Sequence, residues 1–193
     1  MKRLLAVLAV LALLAVQPAP ALAAAPTPFT AYGGVVAVGS GAIQPLPVGF
    51  ITRGEPVTIF IGYSPAWPEL QGAIAQTVHK STSLVTDPAT GAIRGVGHGT
   101  ITVSGGGLSA PLTGQFTFKI SGHVNLSTGN IIDLHDEGVF NAQGGGEGAN
   151  GAFTLDLDLS SFPPPTNVVV FKGAHRSKQG GPEAGPPFHK LGS

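Results

Sequence analysis

QFTFKISGHVNLSTGNIIDLHDEGVF, residues 115–140, reads as two alternating strands joined by a turn. Phe116, Phe118, Ile120 and Val124 share one parity, with Thr117, Lys119 and His123 on the other. After Ser127-Thr128-Gly129-Asn130 the pattern resumes, with Ile132, Leu134 and Phe140 opposite Asp133, His135 and Glu137. Successive side chains of a strand leave opposite faces, so each segment has one dry and one wet side, as antiparallel sheets require. The turn residues between them supply a glycine able to take positive φ.

The same grammar extends outward. Candidate strands lie at 35–38, 57–62, 74–80, 82–86, 100–104, 115–125, 130–140, 151–160 and 167–171. Leu155, Leu157 and Leu159 alternate with Thr154, Asp156 and Asp158, and Asp87-Pro88-Ala89-Thr90-Gly91 supplies a second turn of the same kind. VTIFIG (57–62) reads as a strand covered on both sides, and APTPFTAYGG (25–34) reads as a short loose lead-in. No stretch after residue 25 carries a convincing helical period. The pattern predicts an all-β chain, an antiparallel β-barrel or β-sandwich of about eight to nine strands.

Residues 1–23 have the layout of a secretory signal: Lys2 and Arg3, an apolar run from Leu4 to Val16, and Ala21-Leu22-Ala23 as a cleavage site. The run is short for a membrane span, which implies a secreted or periplasmic protein with no integral membrane segment after cleavage. One domain is expected over 24–172, followed by a disordered glycine- and proline-rich tail over 173–193. The chain has no cysteine, so disulfides contribute nothing to its stability. Without Lys2 and Arg3, eight basic residues face ten acidic ones, which argues against nucleic acid as a partner.

The chemistry-bearing residues are few. Asp133, His135 and Glu137 on one strand and Asp156 and Asp158 on the next are either a patch of oxygen-rich ligands with one imidazole, suited to a divalent cation, or the wet face of a sheet. A hairpin pairing would set His135 and Glu137 near Asp158 and Asp156. Tyr63 and Trp67 flank the loop GYSPAWPEL (62–70), where an aromatic ring either stacks on a ligand or plugs the core. GGEGANGAF (145–153) reads as a flexible hairpin loop. No G-x-S-x-G, H-E-x-x-H or phosphate loop is present, and no catalytic residue is assigned.

The stretch 97–125, through Gly97, Gly99, Thr100, Gly105, Gly106, Gly114 and Phe116, resembles part of the small secreted barrels of the dirigent and allene-oxide-cyclase type. That resemblance implies an eight-stranded antiparallel barrel, in some members with a cavity for an apolar ligand, and carries no functional residue across. Three functions are compatible with the sequence. The first is an exported, non-catalytic protein that binds a small molecule, a glycan or an envelope component. The second is a barrel holding an apolar ligand, as a carrier or a cyclase- or isomerase-like protein; the third is a metal-dependent binder or hydrolase. An open interior with buried acids would favour the second.

Overall fold

The computed structural model describes residues 25–161, 164 and 166–177. Ten strands follow one another: β1 (Thr27–Val38), β2 (Ala42–Leu46), β3 (Gly49–Arg53), β4 (Glu55–Tyr63), β5 (Ala73–Thr86), β6 (Ala92–Gly105), β7 (Leu112–Val124), β8 (Ile131–Gly144), β9 (Glu147–Asp158) and β10 (Thr166–Arg176). All pair antiparallel, in the order β2-β3-β5-β4-β1-β10-β9-β8-β7-β6, and β5 also pairs with β6. That last pairing closes β4–β5–β6–β7–β8–β9–β10–β1 into an eight-stranded barrel and removes its open edges.

The two remaining strands prolong the wall. Val38 faces Val57, Ala42 faces Arg53 and Leu46 faces Gly49 in one unbroken register. β1 with β2, and β3 with β4, therefore form a single long hairpin, interrupted at Gly39-Ser40-Gly41 and at Gly54. Its tip stands at the end of the barrel that also carries the β5–β6 and β7–β8 turns. On the β10 side the backbone ladder stops at Gly33↔Val169. There the Asn167 side chain replaces it: Oδ1 accepts from the Val35 N–H at 2.8 Å and Nδ2 donates to the Val35 carbonyl at 2.7 Å.

The opposite end is sealed. A short 3-10 turn, Pro68–Leu70, folds across it and brings Trp67 and Leu70 against Phe29, Ile61, Leu112 and Phe140. The N–H of Gly107, in the β6–β7 loop, donates to the Glu69 carbonyl at 2.8 Å and holds this plug down.

Inside, large and small residues are interspersed around the circumference. Reading across neighbouring strands, one row runs Gly97, Phe118, Gly138, Phe153, Phe171, Ala31. The next runs Gly99, Phe116, Phe140, Gly151, Gly173, Phe29. Gly97, Gly99 and Gly138 leave space that neighbouring rings fill: a Cβ on Gly97 would run into the Phe118 ring, and one on Gly99 would stand 2.7 Å from the Phe116 ring. A narrow barrel is filled this way, by complementary volumes rather than by uniform aliphatic layers.

Several sequence expectations change as a result. Thr27–Val38 is a strand and not a lead-in, because Phe29 and Ala31 point inward and are buried. The candidates 74–80 and 82–86 are one strand, β5. VTIFIG is not covered on both sides: Ile59 and Ile61 face in, while Phe60 is exposed. The loop expected over 145–153 shrinks to a turn at Gly145-Gly146, since β9 begins at Glu147. β10 carries the domain on to Arg176. Residues 1–23 and the segment beyond 177 lie outside the described residues.

The glycine rows make a direct prediction. A Cβ on Gly138 would run into the Thr117 carbonyl and stand 2.7 Å from the Phe153 ring. Gly138→Ala is expected to cost about 1–3 kcal/mol in urea unfolding, whereas Gly148→Ala, whose nearest neighbours are 3.7 Å away, leaves the midpoint nearly unchanged.

Candidate functional site

The acidic and histidine residues read from the sequence lie on the outer surface, in pairs. His135 faces Asp156 across β8–β9, Asp133 faces Asp158, and Glu137 faces Thr154 on one side and Lys119 on the other. The register is thus two residues from the one expected. His135 Nδ1 lies 2.6 Å from Asp156 Oδ1, and His123 Nδ1 lies 3.1 Å from both carboxylate oxygens of Asp133. Asp158 instead accepts from the Ser160 N–H at 2.8 Å. Among the described residues no three His, Asp or Glu side chains gather where they would hold a metal ion. The five expected ligands sit on a convex, solvent-facing wall, which spreads neighbouring side chains apart.

Tyr63 and Trp67 also part company. Trp67 is the plug: it is 4% exposed, edge-on to Phe29 at 5.1 Å and stacked on His175 at 4.2 Å. A ring so enclosed is out of reach of a ligand on the loop. Tyr63 stays outside, beside Tyr32.

The polar chemistry of the interior comes from a break in strand parity. Along β4 the inward positions are Ile61, Ile59, Val57 and Glu55, and along β5 they are Ala73, Ala75, Thr77 and His79. Continued alternation would next bring in Arg53 and Ser81. Gly54, at φ 72°, bends its strand at that point, and its N–H donates to the His79 carbonyl at 2.7 Å. On the other side of β5, the pairing with β6 slips by one residue between His79 and Ser81. The inward set restarts at Thr52 and Thr82, which face each other just as Glu55 faces His79. Four polar side chains from three strands, β3, β4 and β5, thus meet inside the barrel at one level.

They are hydrogen-bonded to one another. Thr52 Oγ1 donates to Glu55 Oε2 at 3.3 Å, Thr82 Oγ1 and His79 Nδ1 are 3.4 Å apart, and His79 Nδ1 is 3.9 Å from Glu55 Oε2. The imidazole also packs against the Phe116 and Phe118 rings, at centroid distances of 5.4 and 4.9 Å. Burial disfavours its charged form and brings its pKa down to about 4, so the ring is neutral at physiological pH. Burial likewise raises the Glu55 pKa, against the Thr52 hydrogen bond.

A fifth polar group reaches in from the far wall. Asp136 lies on β8, four strands from β4 in either direction round the barrel. Its cross-strand partners are Ile120 and Leu155, it is 7% exposed, and Oδ1 is buried with no hydrogen-bond partner. Burial, reinforced by the Glu55 charge and opposed by His135 outside, pushes its pKa up to about 7.

Between these groups lies a cavity of about 320 Å³. Ile59, Leu84, Ile120, Leu134, Leu155 and Phe171 are among its apolar walls, and Val38, Ile43 and Phe50 on the long hairpin line it at the unsealed end. None of Glu55, His79 or Asp136 stood out in the sequence. Yet Asp136 shares the parity of Leu134 and Phe140, and Glu55 that of Val57, Ile59 and Ile61. An acid in the dry register was the available signal.

Two of these shifts oppose each other in folding. From the usual 3.8 up to about 7, the folded chain keeps a proton on Asp136 that the unfolded chain has lost, so stability falls as pH rises through that interval. From about 4 to the usual 6.5, the unfolded chain binds a proton that buried His79 refuses, so stability rises with pH. Where the intervals overlap, the two proton counts cancel. Relative to the parent chain, Asp136→Asn is expected to add a rise, and His79→Gln a fall, of about 1.4 kcal/mol per pH unit across the shared interval of about 4 to 6.5. Urea unfolding over a pH series measures both slopes.

No protein-family model, no curated protein and no solved structure matches the chain, so its function rests on the chemistry of this cavity.

Proposed function

We propose that this chain is an exported binding protein that carries an apolar small molecule inside its barrel. The observation that carries this reading is the cavity itself, with apolar walls and a few inward polar groups. Protein interiors pack to the density of organic crystals, and voids of this size cost stability. A carboxyl with a buried, unpartnered oxygen costs more. A barrel that combines both in one place gains from a ligand that fills the space and satisfies the acid. Apolar pockets with a few convergent polar groups are the usual form of a small-molecule site. Export is supported by the layout of residues 1–23. Among the described residues no helix is long and apolar enough to cross a membrane.

A second reading, that the same cavity converts its ligand in the manner of an isomerase, is favoured by one observation. The Asp136 carboxyl, with its pKa near 7, holds a proton to donate at neutral pH, and Glu55 stands on the opposite wall as an acceptor. Recovery of the ligand unchanged separates carriage from conversion.

The neutral fluorophore N-phenylnaphthylamine tests the proposal. It should bind one per barrel with enhanced emission, and Leu157→Trp, which places an indole on the cavity wall, should weaken binding at least about tenfold, roughly 1.4 kcal/mol. Equal binding to both proteins would place the fluorophore elsewhere and sink the reading.

A further inference from the structure

We infer that the cavity selects an apolar amine, held by its ammonium head between Asp136 and Glu55, and discriminates against an apolar carboxylate of the same length. The inference rests on the reading of the barrel as a small-molecule carrier and names the chemistry of its cargo.

The argument is a balance of donors and acceptors. The polar groups lining the cavity are Thr52, Glu55, Thr77, His79, Thr82 and Asp136. Thr52 spends its hydroxyl hydrogen on Glu55, and Thr77 spends its own on the Val57 carbonyl at 3.3 Å. Thr82 and His79 share one hydrogen bond, which leaves that pair a single donor. Asp136 Oδ1, buried and without a partner, receives none. Apart from that donor and the proton Asp136 carries while it is neutral, the lining offers acceptors, and the further donors must come with the ligand.

Charge points the same way. Among the described residues no lysine or arginine lines the cavity, and burial keeps the one imidazole neutral. Two carboxyl groups on opposite walls thus face a low-dielectric space with no basic side chain of the lining between them, and the Glu55 charge disfavours ionisation of Asp136. An ammonium group carries both what is missing, several N–H donors and one positive charge. An alkanol brings one donor and no charge. An alkanoate would bring a third acid into a site that already holds two, and would enter only after taking up a proton. The aliphatic remainder of each ligand meets the same walls, so the head group alone decides the order.

Displacement of N-phenylnaphthylamine by octylamine, octanol and octanoate separates these cases, with the full mature chain as the protein. Octylamine should displace the probe at a concentration at least about tenfold lower than octanoate, with octanol between them. In Asp136→Asn, which keeps size and shape, the advantage of the amine should shrink about tenfold while octanol changes little. Glu55→Gln should reduce it in the same direction, and a thermal melt of each variant confirms that the barrel is folded. Equal displacement by all three compounds would overturn the choice of amine and leave a cavity that reads only the tail. Failure of every compound to displace the probe would overturn the cavity as the binding site and this inference with it.

Discussion

Ring-over-glycine packing across neighbouring strands is the contact on which the rest of this barrel depends. Eight strands enclose a space too narrow for bulky side chains at every inward position and too wide to be filled by small ones. Phe118 over Gly97, Phe153 over Gly138 and Phe116 over Gly99 let aromatic rings lie along the wall instead of meeting at the axis. Because they lie along the wall they leave the axis open. Core and cavity are two results of one packing rule.

The second constraint is the shared bend in β4 and β5. Strict alternation on this wall would have kept Thr52 and Thr82 outside, as it keeps Thr117, Lys119 and Ser121 on β7. Gly54 and the slipped register after His79 bring these two threonines inside beside Glu55 and His79, which alternation already turns inward. Irregularities of this kind recur where a side chain must be re-aimed, and they are rarely incidental. Here the irregularity is matched in the facing strand, so the ladder between β4 and β5 stays in register while the chemistry of the inner face changes.

The strand–turn–strand pattern of 115–140 was legible because large apolar and polar residues alternate there without interruption. Elsewhere the same periodicity was hidden by size. Ala31, Ala73, Ala75, Gly97 and Gly138 are inward residues that carry no hydrophobic signal of their own, so β1 up to Gly34 read as loose chain, while β5 read as two pieces because its inward set breaks after His79. The site was less legible for a different reason. Asp133, His135 and Glu137 attract attention because they lie on a polar face, where such residues are ordinary. Asp136, one position away, faces inward, and only its parity separates it from its neighbours. Glu55 likewise keeps the parity of its inward neighbours, whereas Thr52 and Thr82 required knowledge of where alternation fails, which is a property of neighbouring strands together and not of one alone.

The Asn167 amide at Val35 bears on how the cavity communicates with its surroundings. Wherever two strands are laced by a backbone ladder, separating them means undoing a row of bonds cooperatively. At Val35 the Asn167 side chain fastens the long hairpin toward β10 with two hydrogen bonds, while on its other flank the hairpin remains laced to β5. The wall thus has a seam with a side-chain clasp, next to the residues that rim the cavity. A rearrangement that unfastens it would turn the hairpin outward like a page about its binding, without disturbing the closed ring of strands below.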